Sequence, residues 1–461
     1  MKKYFYLFLA VFATAITLSS CNDDESSDNP SDGKDYVITQ FDNEPWLGET
    51  YISDYDYAVG NQFLIDRYKA DASGGCSSFR NGDYIARNLD WFVRDYAVLV
   101  VHTPANKAKK RFASVGIVSS NPFVNRAMIA SGVVNDEVSK GETTVKNWRN
   151  ILPIFTTDGI NEKGVCASVN IVMHEDGARD GYVPCTGSKN PTGTTTSFVS
   201  LVRYILDNCE STEDAIKKVR GLRVIQAEKG ALAAEDNHIF VSDNDQTVVL
   251  EWYNDSMVVN KYPRSNGFRD EHHMPAIMTN FYNCIGTKYT DDNGVIDTEK
   301  MLEEHPYAMG VERYETLRQG WEQVNSLESA KELIKKVNYS NYFNLANKWY
   351  TENGMYCKRY NGKWYYPAGY PAVSENYAPV GSVWEAIQKM FEPGGYQQGC
   401  IDVFQNLDFQ MSQLKSGIDR EDDWYTELTS VYDIPNKELH VMPQEGWFNN
   451  KYYKFTVKGN R

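Results

Sequence analysis

Residues 75–91 have the sequence GCSSFRNGDYIARNLDW, and this stretch decides the fold. Asn81-Gly82 predicts a two-residue hairpin turn, because both residue types tolerate the positive φ that a type I′ turn requires. With these two residues as the loop, the register places Cys76 directly opposite Arg87. The hairpin therefore predicts a guanidinium beside a thiol at a strand end.

A cation beside Cys76 favours the thiolate, which is the reactive form of cysteine. Asp90 lies just beyond Arg87 and could hold a newly freed α-amino group. An α-amine has an ordinary pKa of about 8 and can act as its own general base, whereas an amide nitrogen cannot. Catalysis by Cys76 then requires cleavage of the peptide bond after Gly75. The alternative is a core hairpin with a buried cysteine and a surface Arg–Asp pair.

The stretch before Cys76 is predicted to be a packed pro-segment, residues 36–75. Its part from 36 to 70 is rich in aromatic and aliphatic residues, which a spent leader does not need. Ser73-Gly74-Gly75 then forms a flexible, sterically open joint immediately before the candidate nucleophile.

The first 21 residues have the pattern of an export signal. Two lysines precede an apolar run from Phe5 to Leu18, which is short for a membrane span. The run ends in Leu18-Ser19-Ser20-Cys21, which resembles the lipobox of bacterial lipoproteins, in which the cysteine is acylated. Residues 1–21 are therefore predicted to be a lipoprotein signal peptide, with a free cysteine at an ordinary signal-peptide end as the alternative.

Residues 22–35 are polar, acidic and aperiodic, as expected of a solvated tether. The acidic run resembles surface-export signals of bacterial lipoproteins. These features predict an exported protein at the outer membrane or cell surface, held to the membrane only by a lipid on Cys21.

Composition excludes some functional classes. The 461 residues carry a net charge of -15 with no basic cluster, which excludes nucleic-acid binding. The 31 tyrosines and 10 tryptophans suit a wet binding surface or a large core. Eight cysteines without a C-x-x-C pair do not support a metal finger, and their disulfide pairing is left open.

Short apolar or alternating runs after Cys76 predict strands, and two amphipathic stretches between them predict helices. Phe198, Leu201, Val202, Ile205 and Leu206 form one stripe, and Ser211 is placed to cap a helix over residues 212–219. The predicted strands cover residues 97–103, 112–118, 165–172, 238–242, 248–253 and 257–262. This mixture predicts an α+β layered domain over residues 76–461.

The motifs around Cys76 resemble the choloylglycine hydrolase and linear amide hydrolase family, which includes bile salt hydrolases, penicillin V acylases, acid ceramidase and N-acylethanolamine amidase. Residues 75–78 (GCSS) and 87–91 (RNLDW) carry the first match, and 158–170 (DGINEKGVCASVN), 277–280 (IMTN) and 310–314 (GVERY) follow in order. Residues 430–441 resemble the family's terminal strand hairpin. The resemblance extends, with gaps, over most of residues 76–461.

The resemblance implies a four-layer αββα sandwich of the N-terminal-nucleophile hydrolase type, cleavage between Gly75 and Cys76, and no cofactor or metal. It implies that Asn170 and Asn280 donate hydrogen bonds to the oxyanion and that Arg313 is a late active-site residue. Asn170 as an ordinary strand-end residue and Arg313 as a surface helical residue are the alternatives.

The expected substrate is a small amphipathic N-acyl amide, such as a conjugated bile acid, a fatty acyl amide or a penicillin V-like compound. Cys76 and Arg87 lie 11 positions apart, closer than in bile salt hydrolases, and a long segment precedes the cysteine. Both features favour the self-processing, ceramidase-like branch, with the pro-segment retained as a small subunit. Residues 339–398 have no counterpart.

Three other functions fit parts of the sequence. The same site could transfer the acyl group to an amine, Cys166 could be the nucleophile of a papain-like enzyme, or the chain could be a non-catalytic glycan-binding lipoprotein.

Overall fold

A computed structural model describes parts of the chain between residues 39 and 457. The described residues are 39–41, 44–53, 55–58, 60–62, 75–91, 98–119, 152–173, 194–225, 235–253, 256–305, 308, 310–338, 358–360, 363–365, 425–443 and 451–457. The predicted signal peptide and tether lie outside them, as does most of 339–398.

The strands alternate with short turns along much of the chain. In chain order they are β1 (Thr39–Phe41), β2 (Glu44–Tyr51), β3 (Gly75–Asn81), β4 (Tyr84–Trp91), β5 (Val98–Thr103), β6 (Ser114–Ser119), β7 (Asp158–Asn161), β8 (Cys166–Met173), β9 (Thr195–Ser197), β10 (Arg223–Ile225), β11 (Glu235–Ser242), β12 (Gln246–Tyr253), β13 (Ser256–Pro263), β14 (Ile277–Met278), β15 (Lys358–Tyr360), β16 (Lys363–Tyr365), β17 (Tyr425–Asp433), β18 (Glu438–Pro443) and β19 (Tyr453–Thr456).

In the part of the chain that the structure describes, the helices with defined ends are short. They are α1 (Leu201–Asn208), α2 (Thr212–Arg220), α3 (Asn283–Gly286), α4 (Thr298–Glu304), α5 (Val311–Trp321) and α6 (Leu327–Lys335), with 3₁₀ turns at Leu152–Phe155, Phe198–Ser200, Arg264–Asn266 and Thr287–Tyr289. Among the described residues, no helix has both the length and the apolarity to cross a membrane.

Two sheets and two sets of helices make four layers. The larger sheet has the order β1-β2-β5-β6-β7-β8-β11-β12-β13, and the smaller sheet has the order β14-β3-β4-β17-β18-β19. One hydrophobic core joins side chains of both sheets. Helices α1 and α2 contact the larger sheet, whereas α5 and α6 contact the smaller one. The predicted αββα sandwich is therefore confirmed.

Both predicted helices between the strands are present, and the serine cap predicted for the second helix is confirmed. Leu201, Ile205 and Leu206 are buried on the inner face of α1. The side chain of Ser211 accepts a hydrogen bond from the backbone N–H of Asp214 and so caps α2. Asn161 donates to the carbonyls of Leu206 and Cys209 and thereby fixes the end of α1 over β7.

The β3–β4 hairpin turns one residue later than predicted. Asn81 pairs with Tyr84, so the loop is Gly82-Asp83 rather than Asn81-Gly82. Gly82 supplies the left-handed conformation with a φ of 55°. Asn81 stays in the strand because its side-chain amide donates to the carbonyl of Trp321 at 2.7 Å. A contact from a distant helix therefore overrides the local turn preference.

This difference changes the partner of Cys76 but not the face on which Arg87 lies. Cys76 pairs with Leu89, and Arg87 pairs with Ser78. The shift along β4 is two residues, and side chains two apart point to the same side of a sheet. Arg87 therefore lies diagonally across from Cys76, within reach of a long side chain.

The predicted pro-segment contributes strands to the larger sheet. β2 pairs in parallel with β5, and Leu47 and Tyr55 are buried. The hydroxyl of Tyr55 donates to Asp207 of α1 at 2.5 Å. Arg111 donates to the backbone carbonyl of Ser53 at 2.7 Å. The described part of this segment thus belongs to the core on both sides of the larger sheet's first strands.

Candidate active site

The backbone of Cys76 is held on both sides of its Cα atom. The residue lies at the start of β3, and its side chain is 3% exposed. Its N–H donates to Oδ1 of Asn280 at 3.0 Å, and its carbonyl accepts a hydrogen bond from Nη1 of Arg313 at 2.9 Å. The nitrogen that cleavage before Cys76 would turn into an α-amine is therefore already fixed by a side chain.

Arg87 is the cation next to the thiol. Its Nη2 lies 3.7 Å from Sγ of Cys76 and donates to the carbonyl of Val169 at 2.9 Å. Nη1 donates to Oδ1 of Asp158 at 3.0 Å. The predicted pairing of thiol and guanidinium is present, and the alternative of a surface Arg–Asp pair is wrong because the Arg87 side chain is buried.

Asp158 holds that guanidinium in place. Its carboxylate is completely buried and accepts hydrogen bonds from the hydroxyls of Thr157, Ser430 and Tyr432 as well as from Arg87. A buried carboxylate needs such partners to offset the loss of its hydration. Asp158 was part of a matched motif in the sequence, but its role was missed because the donors come from β17, more than 270 residues away.

The surroundings of Cys76 in the intact chain favour the neutral thiol. Burial is the main cause that raises the pKa of Cys76 to about 11. The Arg87 guanidinium opposes this effect by lowering the pKa, the Asp90 carboxylate adds to it, and the Asp90 backbone N–H and Arg313 lower it. Arg87 therefore makes ionisation easier without making it complete.

Asp90 lies opposite Gly75 in the hairpin, beside the bond that is predicted to be cut. Its carboxylate accepts hydrogen bonds from Thr426 at 2.6 Å and from Nη1 of Arg313 at 3.2 Å. Burial raises the pKa of Asp90 to about 7, although Arg313, Thr426 and Arg87 favour the charged form. The group can thus gain or lose a proton near neutral pH.

We expect the rate of cleavage before Cys76 to rise with pH up to about 7, and the slope of log rate against pH to decrease by one above that value. Below its pKa the Asp90 carboxyl is protonated and cannot accept a proton or hold a cationic amine, whereas above its pKa it is charged. Intact mass spectrometry after a shift from pH 5 to a series of higher values gives the rates. Asp90→Asn should remove the break, and a break that persists in this variant would contradict the assignment.

The two predicted oxyanion donors lie together between the sheets. Nδ2 of Asn170 faces the carbonyls of Met278 and Thr279 at 3.3 and 3.4 Å. Nδ2 of Asn280 donates to the carbonyl of Ile171 at 2.7 Å. In the intact chain these amides therefore cross-link the two strand ends, and their role as oxyanion donors stays a prediction.

Arg313 belongs to this site rather than to the protein surface. It lies in the first turn of α5 with a 6% exposed side chain, so the surface alternative is wrong. Its Nη2 donates to Oδ1 of Asn280 at 2.6 Å, and its Nη1 also contacts the hydroxyl of Ser77. Gly310 precedes the helix with a φ of 75°, and a Cβ atom there would lie 2.7 Å from Nη2 of Arg313. The glycine of the GVERY motif thus lets Arg313 approach.

Cys166 has the environment of a core residue. Its side chain is 3% exposed, and burial raises the pKa of its thiol well above the ordinary value. Both properties are typical of structural cysteines and not of nucleophiles.

The described residues hold no disulfide and no metal-binding cluster. Their cysteines, Cys76, Cys166, Cys209 and Cys284, are all free. Within the same part of the chain, no group of three or more His, Cys, Asp or Glu side chains is arranged to hold a metal ion.

Residues 153–355 match the family model described as acyl-coenzyme A:6-aminopenicillanic acid acyl-transferase. The match covers less than half of the chain and supports its likeness to the N-terminal-nucleophile hydrolases. The matched region includes Asn170, Asn280 and Arg313, whereas Cys76 and Arg87 precede it. The predicted relationship to the choloylglycine hydrolase group is confirmed at this level.

The solved structures that resemble the chain are distant. A conjugated bile acid hydrolase from Clostridium perfringens is 11% identical over 83% of this chain and 92% of its own, with a TM-score of 0.35. A penicillin V acylase from Agrobacterium tumefaciens is 14% identical over 80% of this chain and 82% of its own, with a TM-score of 0.30. No curated protein sequence matches this chain.

Proposed function

We propose that the chain is a self-processing cysteine hydrolase of the N-terminal-nucleophile type. The thiol of Cys76 attacks the carbonyl carbon of Gly75, so that a C–S bond forms, the C–N bond breaks and the thiol proton passes to the leaving amine. Water then hydrolyses the thioester, which releases a carboxylate on Gly75 and a free thiol on a new N-terminal cysteine.

The observation that carries this proposal is the convergence of three polar side chains on one residue. Asn280 accepts from the Cys76 nitrogen, Arg313 donates to its carbonyl, and Arg87 lies 3.7 Å from its sulfur. An ordinary buried cysteine needs none of these, since its backbone groups would pair within the sheet and its thiol would contact apolar atoms.

In turnover, the freed amine of Cys76 takes the proton of the thiol, which then attacks the carbonyl of a substrate amide. An α-amine has an ordinary pKa of about 8, so roughly a tenth of it is unprotonated at pH 7 and about half at pH 8. Asn170 and Asn280 donate to the oxygen of the tetrahedral intermediate. The amine product leaves, and water releases the acyl group from the thioester.

The substrate in this proposal is a linear, non-peptide amide of an amphipathic acyl group, such as a conjugated bile acid, a fatty acyl amide or a penicillin V-like compound. Two observations support this class. The matched family is named for acyl transfer to 6-aminopenicillanic acid, a reaction that forms a penicillin-type amide. The chain is also rich in tyrosine and tryptophan, which bind amphipathic ligands well.

Acyl transfer is the second candidate, because the matched family is described as an acyl-transferase. In that case an amine, rather than water, attacks the thioester. Incubation of the processed enzyme with an N-acyl amide and a second amine separates the two activities. A transferase forms mainly the amide of the second amine, whereas a hydrolase forms mainly the free acid.

Intact mass spectrometry of the protein expressed without residues 1–21 tests self-processing, alongside Cys76→Ala. We expect a chain that begins at Cys76 in the first protein and an uncut chain in the second. Cys166→Ala is the matched control, because it removes another buried thiol and should leave cleavage intact. An uncut wild type that is also inert to iodoacetamide would overturn the proposal and favour the glycan-binding alternative.

The pro-segment should stay bound after cleavage, as a small subunit that links the catalytic chain to an anchor at Cys21. β2 pairs with β5 along five residues, and Tyr55 is buried against α1. We expect both fragments to co-elute in gel filtration of the processed protein and to separate only in denaturant. Separate elution in native buffer would contradict this expectation.

A further inference from the structure

A row of polar side chains crosses the larger sheet beside the site. Asn170 on β8 pairs with His238 on β11, and Nδ1 of His238 lies 3.2 Å from Oε1 of Glu251 on β12. Asn260 on β13 donates to Oε2 of Glu251 at 2.8 Å. His238 and Glu251 are both completely buried. The reaction described above uses neither of them. Because burying a polar or charged side chain costs free energy, their presence in the core calls for an explanation.

These side chains contact the segment that carries Asn280. Nε2 of His238 lies 2.9 Å from the carbonyl of Thr279. Glu251 accepts hydrogen bonds from the backbone N–H of Asn283 at 2.6 Å and of Cys284 at 2.9 Å. The backbone is thus held immediately before Asn280 and again three residues after it.

The hydrogen-bond partners determine how His238 is oriented. A backbone carbonyl can only accept, so Nε2 of His238 must carry the proton that is donated to Thr279. The other ring nitrogen, Nδ1, faces Oε1 of Glu251 at 3.2 Å, and a proton shared between these two atoms fixes the plane of the ring. Because Glu251 is itself held by Asn260, Asn283 and Cys284, the whole row is rigid.

We propose that His238 and Glu251 are positioning residues for the reaction of Cys76. They fix the peptide between Thr279 and Asn280, and through it the Asn280 oxygen that accepts from the Cys76 nitrogen. This inference rests on the proposed function of Cys76. A displacement of about 1 Å at a reacting group can cost about 100-fold in rate, so a device that fixes this peptide has a measurable effect.

The test compares His238→Leu with His238→Gln in the protein expressed without residues 1–21. Leucine fills a similar volume without a donor, so cleavage before Cys76 should slow by about 100-fold. Glutamine can still donate to the Thr279 carbonyl, so its rate should fall by less than about tenfold. Wild-type cleavage by His238→Leu, or equal slowing by both variants, would overturn the proposal.

His440→Leu is the matched control. His440 also pairs with a glutamate, Glu438 at 3.1 Å, but on β18, which contributes none of the residues that contact Cys76. We expect this variant to cleave at the wild-type rate. If His440→Leu slowed cleavage as much as His238→Leu, loss of any buried His–Glu pair would be enough to slow cleavage. That result would also overturn the proposal.

Hydrogen exchange gives a readout that does not depend on cleavage. In a Cys76→Ala background, Glu251→Gln should speed exchange of the Asn283 and Cys284 amides, and His440→Leu should not. Unchanged exchange of these two amides would overturn the positioning role. This result would count even if the His238 variants folded too poorly for their cleavage rates to be measured. If exchange became faster but the wild-type protein were never cut, the proposed function would be refuted. The conclusion that Glu251 holds the backbone at Asn283 and Cys284 would still stand.

Discussion

Replacing Arg87 with methionine is expected to lower the free energy of unfolding by about 3–5 kcal/mol and to slow cleavage before Cys76 strongly. The substitution leaves the Asp158 carboxylate buried without its cation, at a position where both side chains are at most 1% exposed. It also removes the guanidinium that favours the thiolate of Cys76. Urea denaturation in a Cys76→Ala background measures the first effect, and intact mass spectrometry measures the second.

The exposed pair of Arg264 and Asp83 provides the matched control. Both side chains are more than 40% exposed, so Arg264→Met should cost no more than about 1 kcal/mol and leave cleavage unchanged. The double variant Arg87→Met/Asp158→Asn should recover much of the stability, since no unpaired charge remains, but it should not recover cleavage. Recovery of both would show that Arg87 acts only on stability.

Replacing Asn280 with leucine is expected to slow cleavage by about 10²- to 10³-fold, the loss that follows removal of one oxyanion donor in acyl transfer. The variant also loses the acceptor for the Cys76 nitrogen and for Arg313. Protein purified at pH 5 and shifted to pH 8 provides a defined start for the measurement, because cleavage is expected to be slow while Asp90 is protonated.

Asn280→Asp separates the two roles of this side chain. Aspartate keeps an oxygen for the Cys76 nitrogen and for Arg313 but loses the amide donor. If Asn280 stabilises the oxyanion, the aspartate variant should cleave as slowly as the leucine variant. Near wild-type cleavage by the aspartate variant would mean that Asn280 acts by holding the nitrogen, and that the oxyanion assignment is wrong.

Local sequence patterns predicted the elements of this fold well. The helices at 201–208 and 212–220 and the strands after Cys76 follow from apolar periodicity and a serine cap, which depend on neighbours a few residues apart. The structure brings together five of the side chains that the motifs singled out, Cys76, Arg87, Asp90, Asn280 and Arg313, and their catalytic roles stay predictions.

The tertiary structure decided how these residues are joined. The hairpin register depends on a hydrogen bond between Asn81 and Trp321, 240 residues away, which no local turn rule contains. The predicted register was wrong by two residues along β4. Arg87 still lies on the predicted face, because side chains two residues apart point to the same side of a strand. The sequence by itself therefore determined the residue types of the site and their faces.

Their fine arrangement required contacts between elements that are distant in the chain. Asp158 fixes Arg87 through donors from β17, and His238 and Glu251 hold the Asn280 segment from neighbouring strands. Buried charges must find partners wherever the packed sheets bring donors and acceptors together. That requirement is met only after the sheets have paired and packed, so the sequence determined which groups enter the core and the tertiary structure decided which of them bind each other.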